Sequence, residues 1–201
     1  MGALTPVLWP DAEPTRLARD VAEVQAFAPD LVYTAPMLDA DGVPEHHGAW
    51  HGVLPTWPFD RRVPLGLPGL VPTGLNFVML YQAAHPMVPP RIYPVDPKPE
   101  ISEHTQHRWH VAPGGSLCLL QRVGMWAPEA SITDLLLKAA GWRIEYALLK
   151  AGAIESMTEH GIVTDAALDG LITETAERLA EAALDPVQAG ETATGEPHAD
   201  D

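Results

Sequence analysis

Proline placement limits the possible folds of this chain more than any other feature of its sequence. The 21 prolines are clustered, and they concentrate between Pro44 and Pro99. Proline lacks a backbone N–H and its ring clashes with the preceding helical turn, so this central part cannot form a long helix. Long helices must therefore lie on either side, and the centre must consist of strands and loops.

Residues 14–28 carry the first helical pattern. Apolar side chains recur there at spacings of four, three and four, namely at Leu17, Val21, Val24 and Ala28. This spacing places them on one face of a helix, for which Pro14 suits the first turn and Pro29 the end. The charged residues are predicted to lie on the solvated face, and these are Arg16, Arg19, Asp20 and Glu23.

Two further helices are predicted after the proline-rich centre. Ser131, with Asp134 three residues on, resembles a capping box, and Gly152 is a natural stop. Gly141 costs about 1 kcal/mol inside this helix, so the sequence allows a break near it. A third pattern runs from Thr164 to about Ala183, with inward positions at Leu168, Leu171, Ile172 and Leu179.

Three segments between the helices have the character of strands. Residues 49–57 alternate loosely, residues 75–81 form an apolar run rich in β-formers, and residues 91–95 tolerate a proline as edge strands do. They predict a small antiparallel meander with one buried face. Residues 29–48 and 96–117 are predicted to be loops. An N-terminal helix, a meander, an irregular loop and C-terminal helices together indicate an α+β fold.

The main folded unit is predicted to span residues 14–152. Residues 1–13 are expected to be an extended leader, and residues 153–185 a helical extension of the unit. Residues 186–201 form an acidic tail without an apolar anchor, and they are predicted to be disordered.

Composition disfavours several classes of function. The net charge of −15 argues against binding to nucleic acid or to an anionic membrane, since both need a basic protein surface. No run of about 18 apolar residues is present, and the N-terminus lacks a signal-peptide pattern. The single cysteine excludes an internal disulfide and suits a reducing compartment. A cytoplasmic location is therefore expected.

That cysteine, Cys118, follows a Pro-Gly-Gly turn and a short apolar run. Such a turn can leave a thiol partly exposed, as a reactive thiolate requires. His104, His107 and His110 are spaced by three, with Cys118 eight residues further, so a zinc site is one alternative. The segment lacks helical periodicity and an evident carboxylate partner, which disfavours that alternative.

Several motifs around Cys118 resemble those of ubiquitin-conjugating enzymes. His85-Pro-Met-Val-Pro-Pro90 is similar to the family's Tyr-Pro-x-x-Pro-Pro segment, and Gly115-Ser-Leu-Cys118-Leu119 to its cysteine signature. Trp126-Ala-Pro128 stands at the family's spacing of eight residues after the cysteine, and a helix beginning at Ser131 follows. The resemblance covers residues 14–150 and implies the fold of that family.

The resemblance also implies a mechanism. Cys118 would accept a ubiquitin-like protein as a thioester from an adenylating activating enzyme, and would pass it to an amine of an acceptor protein. Residues Gly114, Gly115, Ser116 and Leu119 would receive the extended tail of the ubiquitin-like protein, and Arg16 and Arg19 would contact the activating enzyme. Neither a cofactor nor a metal is implied.

One departure from the family's pattern concerns the position eight residues before the cysteine. The family has His-Pro-Asn there, whereas this chain has Arg108-Trp-His110. An imidazole N–H of His110 could stabilise the oxyanion in place of the asparagine, and His107 could orient the loop. The departures resemble the family's divergent bacterial branch, which occurs beside ubiquitin-like proteins and activating enzymes, in some cases in antiphage operons.

Two other functions are compatible with parts of this pattern. A non-catalytic binding module on the same fold is the main alternative, although inactive variants of the family usually lose the cysteine. A papain-like hydrolase is disfavoured, because such enzymes place the nucleophile at a helix N-terminus and Cys118 follows a turn.

Overall fold

The chain folds into helices and a small antiparallel sheet, which confirms the predicted α+β class. A computed structural model describes residues 7–120, 124–158 and 161–184. The helices are α1 (Trp9–Ala12), α2 (Pro14–Phe27), α3 (Leu67–Leu70), α4 (Ile132–Lys150) and α5 (Asp169–Leu184). The strands are β1 (Val32–Thr34), β2 (Met37–Leu38), β3 (Pro44–His46), β4 (Ala49–Val53), β5 (Asn76–Leu80) and β6 (Arg91–Asp96). Short 3-10 helices span Ile101–Glu103, His107–Trp109 and Ala166–Leu168.

The main sheet has the strand order β1-β4-β5-β6, and every neighbouring pair is antiparallel. Strands β4 and β5 lie within the segments predicted as the meander, and β6 extends one residue beyond the third segment and is an edge strand as expected. One face of the sheet is buried against α2 and α4 through Trp50, Phe77, Met79 and Ile92. On the opposite face, His51 and Val53 of β4 are exposed. The predicted burial of a single face is confirmed.

Two predictions for the N-terminal third were wrong. The segment 29–48, expected to be loop, contributes β1, β2 and β3, each only two or three residues long. Strands this short do not display a period of two in the sequence. The leader, expected to be extended, contains α1, because Trp9 is buried and its Nε1 donates to the carbonyl of His47 at 2.5 Å.

Helix α2 confirms the predicted bounds but not the predicted solvated face. It runs from Pro14 to Phe27, and Val24 of its apolar stripe is fully buried. Arg16 and Asp20, however, are also buried, with 7% and 0% of their surface exposed. They form an ion pair at 2.7 Å, and charges paired in this way can enter a core that would exclude them singly.

Helix α4 is continuous through Gly141. A Cβ atom at this position would lie 3.0 Å from Cγ2 of Ile162 and 3.3 Å from Cγ2 of Val163. The missing side chain therefore lets the segment after residue 161 pack closely against the helix, and no break occurs. At the N-terminus, the Oγ of Ser131 accepts a hydrogen bond from the backbone N–H of Thr133 at 3.1 Å, which confirms Ser131 as the cap.

Helix α5 packs against α3 and shares a second hydrophobic cluster with α4. It begins at Asp169, later than the predicted Thr164. Ile172 is buried as predicted, whereas Leu179 is exposed. No helix in the described ranges is both long enough and apolar enough to cross a bilayer. The predicted disordered tail, residues 186–201, lies outside the described residues.

Candidate active site

Cys118 is held at the end of a short hairpin. Val111 and Leu117 form a β-bridge, and the backbone N–H of Cys118 donates to the carbonyl of His110 at 2.8 Å. Val111 and Leu117 are both buried. Cys118 is exposed and His110 is half-buried, and both line the same depression. The hairpin thus brings together two of the predicted catalytic residues.

The turn of this hairpin gives its two glycines different roles. Gly115 has a φ of +81°, a conformation that favours glycine, and a Cβ atom there would lie 3.3 Å from Cε1 of His104. Gly114 has no atom within 4 Å of its virtual Cβ. Gly115 is therefore required by the turn itself, whereas the open space beside Gly114 is available to an approaching chain.

The hairpin is attached to the edge of the sheet. The backbone N–H of Leu117 donates to the carbonyl of Ile92 in β6 at 2.8 Å, and Leu119 packs against the main core. The half-buried Ser116 uses its carbonyl to close the turn, since it accepts from Ala112 N at 2.8 Å. Cys118 itself is exposed, so its thiol is reachable at this edge.

The protein around Cys118 and His110 favours the neutral form of both groups. Desolvation raises the pKa of the Cys118 thiol, although the residue as a whole is exposed. Desolvation, together with the charge of the neighbouring His107, lowers the pKa of His110. The two histidine rings lie 5.5 Å apart at an interplanar angle of 88°. Near neutral pH the pair therefore rests as thiol and imidazole, rather than as thiolate and imidazolium.

The loop before the hairpin is fixed by a buried carboxylate that was not predicted as a site residue. Glu103 is 4% exposed, and its carboxylate accepts from three donors, namely Tyr146 Oη at 2.8 Å, Lys150 Nζ at 2.5 Å and Glu100 N at 2.9 Å. Burial acts to raise the pKa of Glu103, but these donors outweigh it and lower the pKa. Glu103 therefore joins the loop to the C-terminal end of α4.

Two further hydrogen bonds set the backbone next to His110. The indole Nε1 of Trp142 in α4 donates to the carbonyl of Trp109 at 2.9 Å. The backbone N–H of Met157 donates to the carbonyl of Arg108 at 3.0 Å. His110 follows directly and has a φ of +50°. Helix α4 and the chain after it therefore determine where this imidazole lies.

The segment after the cysteine is anchored to the proline-rich motif. Trp126 donates from its indole Nε1 to the carbonyl of Pro86 at 2.7 Å. The guanidinium of Arg16 donates to the carbonyls of Pro128 and Ala130, the latter at 2.7 Å. The His85–Pro90 segment, the Trp126–Pro128 segment and helix α2 are thus held together by hydrogen bonds.

The two predicted contact arginines differ in accessibility. Arg16 is buried and all its described bonds are internal, so the prediction that it contacts a partner was wrong. Arg19 has 39% of its side chain exposed, and it pairs with Glu23 at 2.7 Å on the surface of α2. Only Arg19 of this pair is placed to meet another protein.

Three depressions meet at Cys118. The first has a volume of about 220 Å³, and its lining includes His110, Cys118 and Lys138 and, from the chain after α4, Met157, Thr158, Gly161, Val163 and Thr164. The second lies on the side of His107 and Val111, and the third runs along Pro89, Pro90 and Ser116. A thiol at such a junction can be approached from several directions.

Glu145 shapes the first depression, and the sequence patterns did not single it out. This carboxylate is 2% exposed and accepts from the backbone N–H groups of Thr158 and Ile162 and from the Thr158 hydroxyl, at distances of 2.7, 2.8 and 3.0 Å. Burial raises the pKa of Glu145, against the opposing effect of these donors. Glu145 ties the wall of the depression to α4.

The zinc alternative finds no ligand group in the part of the chain that the structure describes. No three His, Cys, Asp or Glu side chains come together there in a group that could hold a metal ion. The histidine at position 104 instead lies against the turn at Gly115.

Comparison with known proteins assigns no family to the chain. No family model matches the sequence, and no curated protein matches it. The class that the fold defines is an α+β protein with an exposed thiol beside a sheet edge.

Proposed function

We propose that the chain is a ubiquitin-conjugating-like enzyme, which carries a ubiquitin-like protein as a thioester on Cys118. The observation that carries the proposal is the position of the thiol: Cys118 is exposed at the end of the hairpin, where three depressions meet and where His110 lines the same depression. Desolvation, which raises the pKa of the thiol and lowers that of His110, is compatible with this proposal. A cysteine hydrolase instead lowers the pKa of its thiol through a paired histidine. An acyl carrier needs a reachable thiol that attacks the thioester of the activating enzyme and later leaves from the thioester that it has itself formed.

The contacts among the segments that resemble this family also support the proposal. Trp126 binds the Pro86 carbonyl, and Arg16 binds that of Pro128, so motifs distant in the sequence contact one another. The order of helix α2, an antiparallel sheet, the cysteine hairpin and the long helix α4 is compatible with the proposed fold. Arg19, being exposed, is the proposed contact for an adenylating activating enzyme.

The proposed reaction has two steps at one sulfur atom. The Cys118 thiol loses its proton and attacks the carbonyl of the activating enzyme's thioester, which releases the activating enzyme's thiol. The amine of an acceptor protein then attacks the new thioester, so that a C–N bond forms and the C–S bond breaks. In both steps a negative charge develops on the carbonyl oxygen, and an N–H of His110 is the proposed donor to it.

A charging assay tests this function. The protein is incubated with its cognate ubiquitin-like protein, the activating enzyme and ATP, and we expect an adduct that collapses under reductant. Addition of a free amine should discharge that adduct as an amide. Absence of the adduct with the genuine partners would contradict the proposal and favour a non-catalytic binding module.

Replacement of His110 by alanine is expected to slow discharge to an amine by about 10²-fold, because an oxyanion donor is lost. Formation of the thioester should also slow, because the same donor serves that step, but the adduct should still accumulate, since Cys118 is untouched. His110→Asn should restore part of the rate, because its amide N–H can donate and asparagine tolerates the φ of +50° at this position. The measurement is single-turnover discharge to free lysine. Equal rates for the alanine and asparagine variants would contradict the donor role of His110.

A further inference from the structure

Lys138 lies in the same depression as Cys118. It stands on the face of α4 toward the cysteine hairpin, and its half-buried side chain lines the depression of about 220 Å³. Its Nζ donates to the carbonyl of Leu119 at 3.4 Å, and Leu119 is the residue directly after Cys118. An amine and a thiol of the same chain therefore share a small space.

The other two lysines of the sequence are placed differently. Lys150 binds Glu103 at 2.5 Å and Glu100 at 3.0 Å, so its amine is engaged by carboxylates at the far end of α4. Lys98 is exposed in the loop after β6 and is not among the residues that line the depressions at Cys118. Of the three lysines, only Lys138 lines a depression that Cys118 also lines.

We propose that Lys138 is a modification site, at which the chain accepts the acyl group carried by its own Cys118. This inference rests on the proposed function, since it needs a thioester at Cys118. The Lys138 nitrogen attacks the thioester carbonyl, a C–N bond forms, and the C–S bond breaks. The amine loses one proton, the sulfur leaves as thiolate and is reprotonated to the thiol, and the product is an amide on Lys138.

The walls of the depression suit this transfer. Met125, Trp142, Met157 and Val163 provide apolar surface along which the methylene stem of Lys138 can lie, while its amine reaches the carbonyl of Leu119 beside Cys118. Holding an amine beside a thioester makes their reaction intramolecular, which strongly increases its rate over that of an amine in solution. The neutral imidazole of His110 lines the same depression and can accept the proton that the amine releases.

The consequence for the enzyme is self-limitation. An amide at Lys138 would occupy the depression beside the thiol and would not be reversed by thiol exchange. An enzyme molecule that carries the thioester but meets no acceptor protein would thereby become unable to accept or transfer another acyl group.

A synthetic peptide with a C-terminal glycine thioester tests the inference without the natural partner. The full chain is incubated with this peptide, and intact mass is recorded before and after dithiothreitol, followed by peptide mapping. We expect a reductant-sensitive adduct on Cys118 that converts into a resistant adduct on Lys138. Lys138→Arg should lower the resistant adduct by at least about tenfold. Lys98→Arg should not change it, and Cys118→Ala should abolish it.

The outcomes separate the two proposals. A Cys118 adduct that never yields an amide at Lys138 would overturn the role of Lys138 and leave the carrier function standing. Failure of Cys118 to exchange with the peptide thioester would contradict both. Resistant adduct that persists in Cys118→Ala would show direct acylation of the lysine from solution and would also overturn the inference.

Discussion

Replacement of Cys118 by serine is expected to convert the reductant-sensitive adduct into a reductant-resistant ester and to reduce transfer to acceptors to the uncatalysed rate. An alkoxide is a much poorer leaving group than a thiolate, so an acyl group on serine is not passed on at a useful rate. The alanine variant should form no adduct, because no nucleophile remains. The measurement is acyl transfer in the charging assay, followed with and without reductant.

Neither replacement of Cys118 should change the stability of the fold appreciably. The Cys118 side chain is exposed, and the backbone hydrogen bond from its N–H to His110 does not depend on the side chain. We expect the free energy of unfolding to change by less than about 0.5 kcal/mol in either variant. Full transfer activity in a folded Cys118→Ala protein would contradict the assignment of Cys118 as the acyl carrier.

Replacement of Asp20 by alanine is expected to lower the free energy of unfolding by about 3–5 kcal/mol, because it leaves buried groups without their partner. Asp20 is fully buried and accepts from Arg16 Nε at 2.7 Å and from the Tyr81 hydroxyl at 3.0 Å. The Nε2 of His85 lies 3.2 Å from the same carboxylate. Burial and the charge of Asp20 raise the pKa of Tyr81, so the tyrosine stays neutral and must find another acceptor in the variant. Denaturant unfolding measures the loss.

Arg19→Ala is the matched control for this stability prediction. It also removes one partner of an ion pair four residues apart on α2, but with 39% of the Arg19 side chain exposed. An exposed pair of this kind contributes less than about 1 kcal/mol. Similar decreases in the free energy of unfolding of the two variants would show that burial of the Arg16–Asp20 pair does not determine how much the pair stabilises the fold.

Much of the fold is predictable from local patterns. Pro14 and Pro29 mark the ends of α2, Ser131 marks the start of α4, and the apolar run at 75–81 contains β5. In each case the signal is local, because a proline, a capping serine or a run of β-formers acts on the backbone of its own segment. The position of Cys118 after a Pro-Gly-Gly turn belongs to the same class, since Gly115 needs its positive φ.

The groups that position the site were not predictable in this way. Asp20, Glu103 and Glu145 are carboxylates that would ordinarily be assigned to the surface, and each is buried with at least one partner from another element or loop of the chain. The sequence around a charged residue does not show whether its side chain is buried with a partner or exposed to solvent. Gly141 is a partial exception, since a glycine within a helical pattern often indicates close packing, here by Ile162.

The attachment of the cysteine hairpin to β6 also bears on self-association. Edge strands present unpaired backbone groups that invite pairing with another molecule. At β6, Leu117 already occupies the carbonyl of Ile92, and Pro94 has no N–H to offer. At the opposite edge, β1 has only three residues. The hairpin that carries Cys118 therefore also protects the β6 edge from pairing with strands of other molecules. A change that loosens the hairpin would be expected to lower solubility as well as activity.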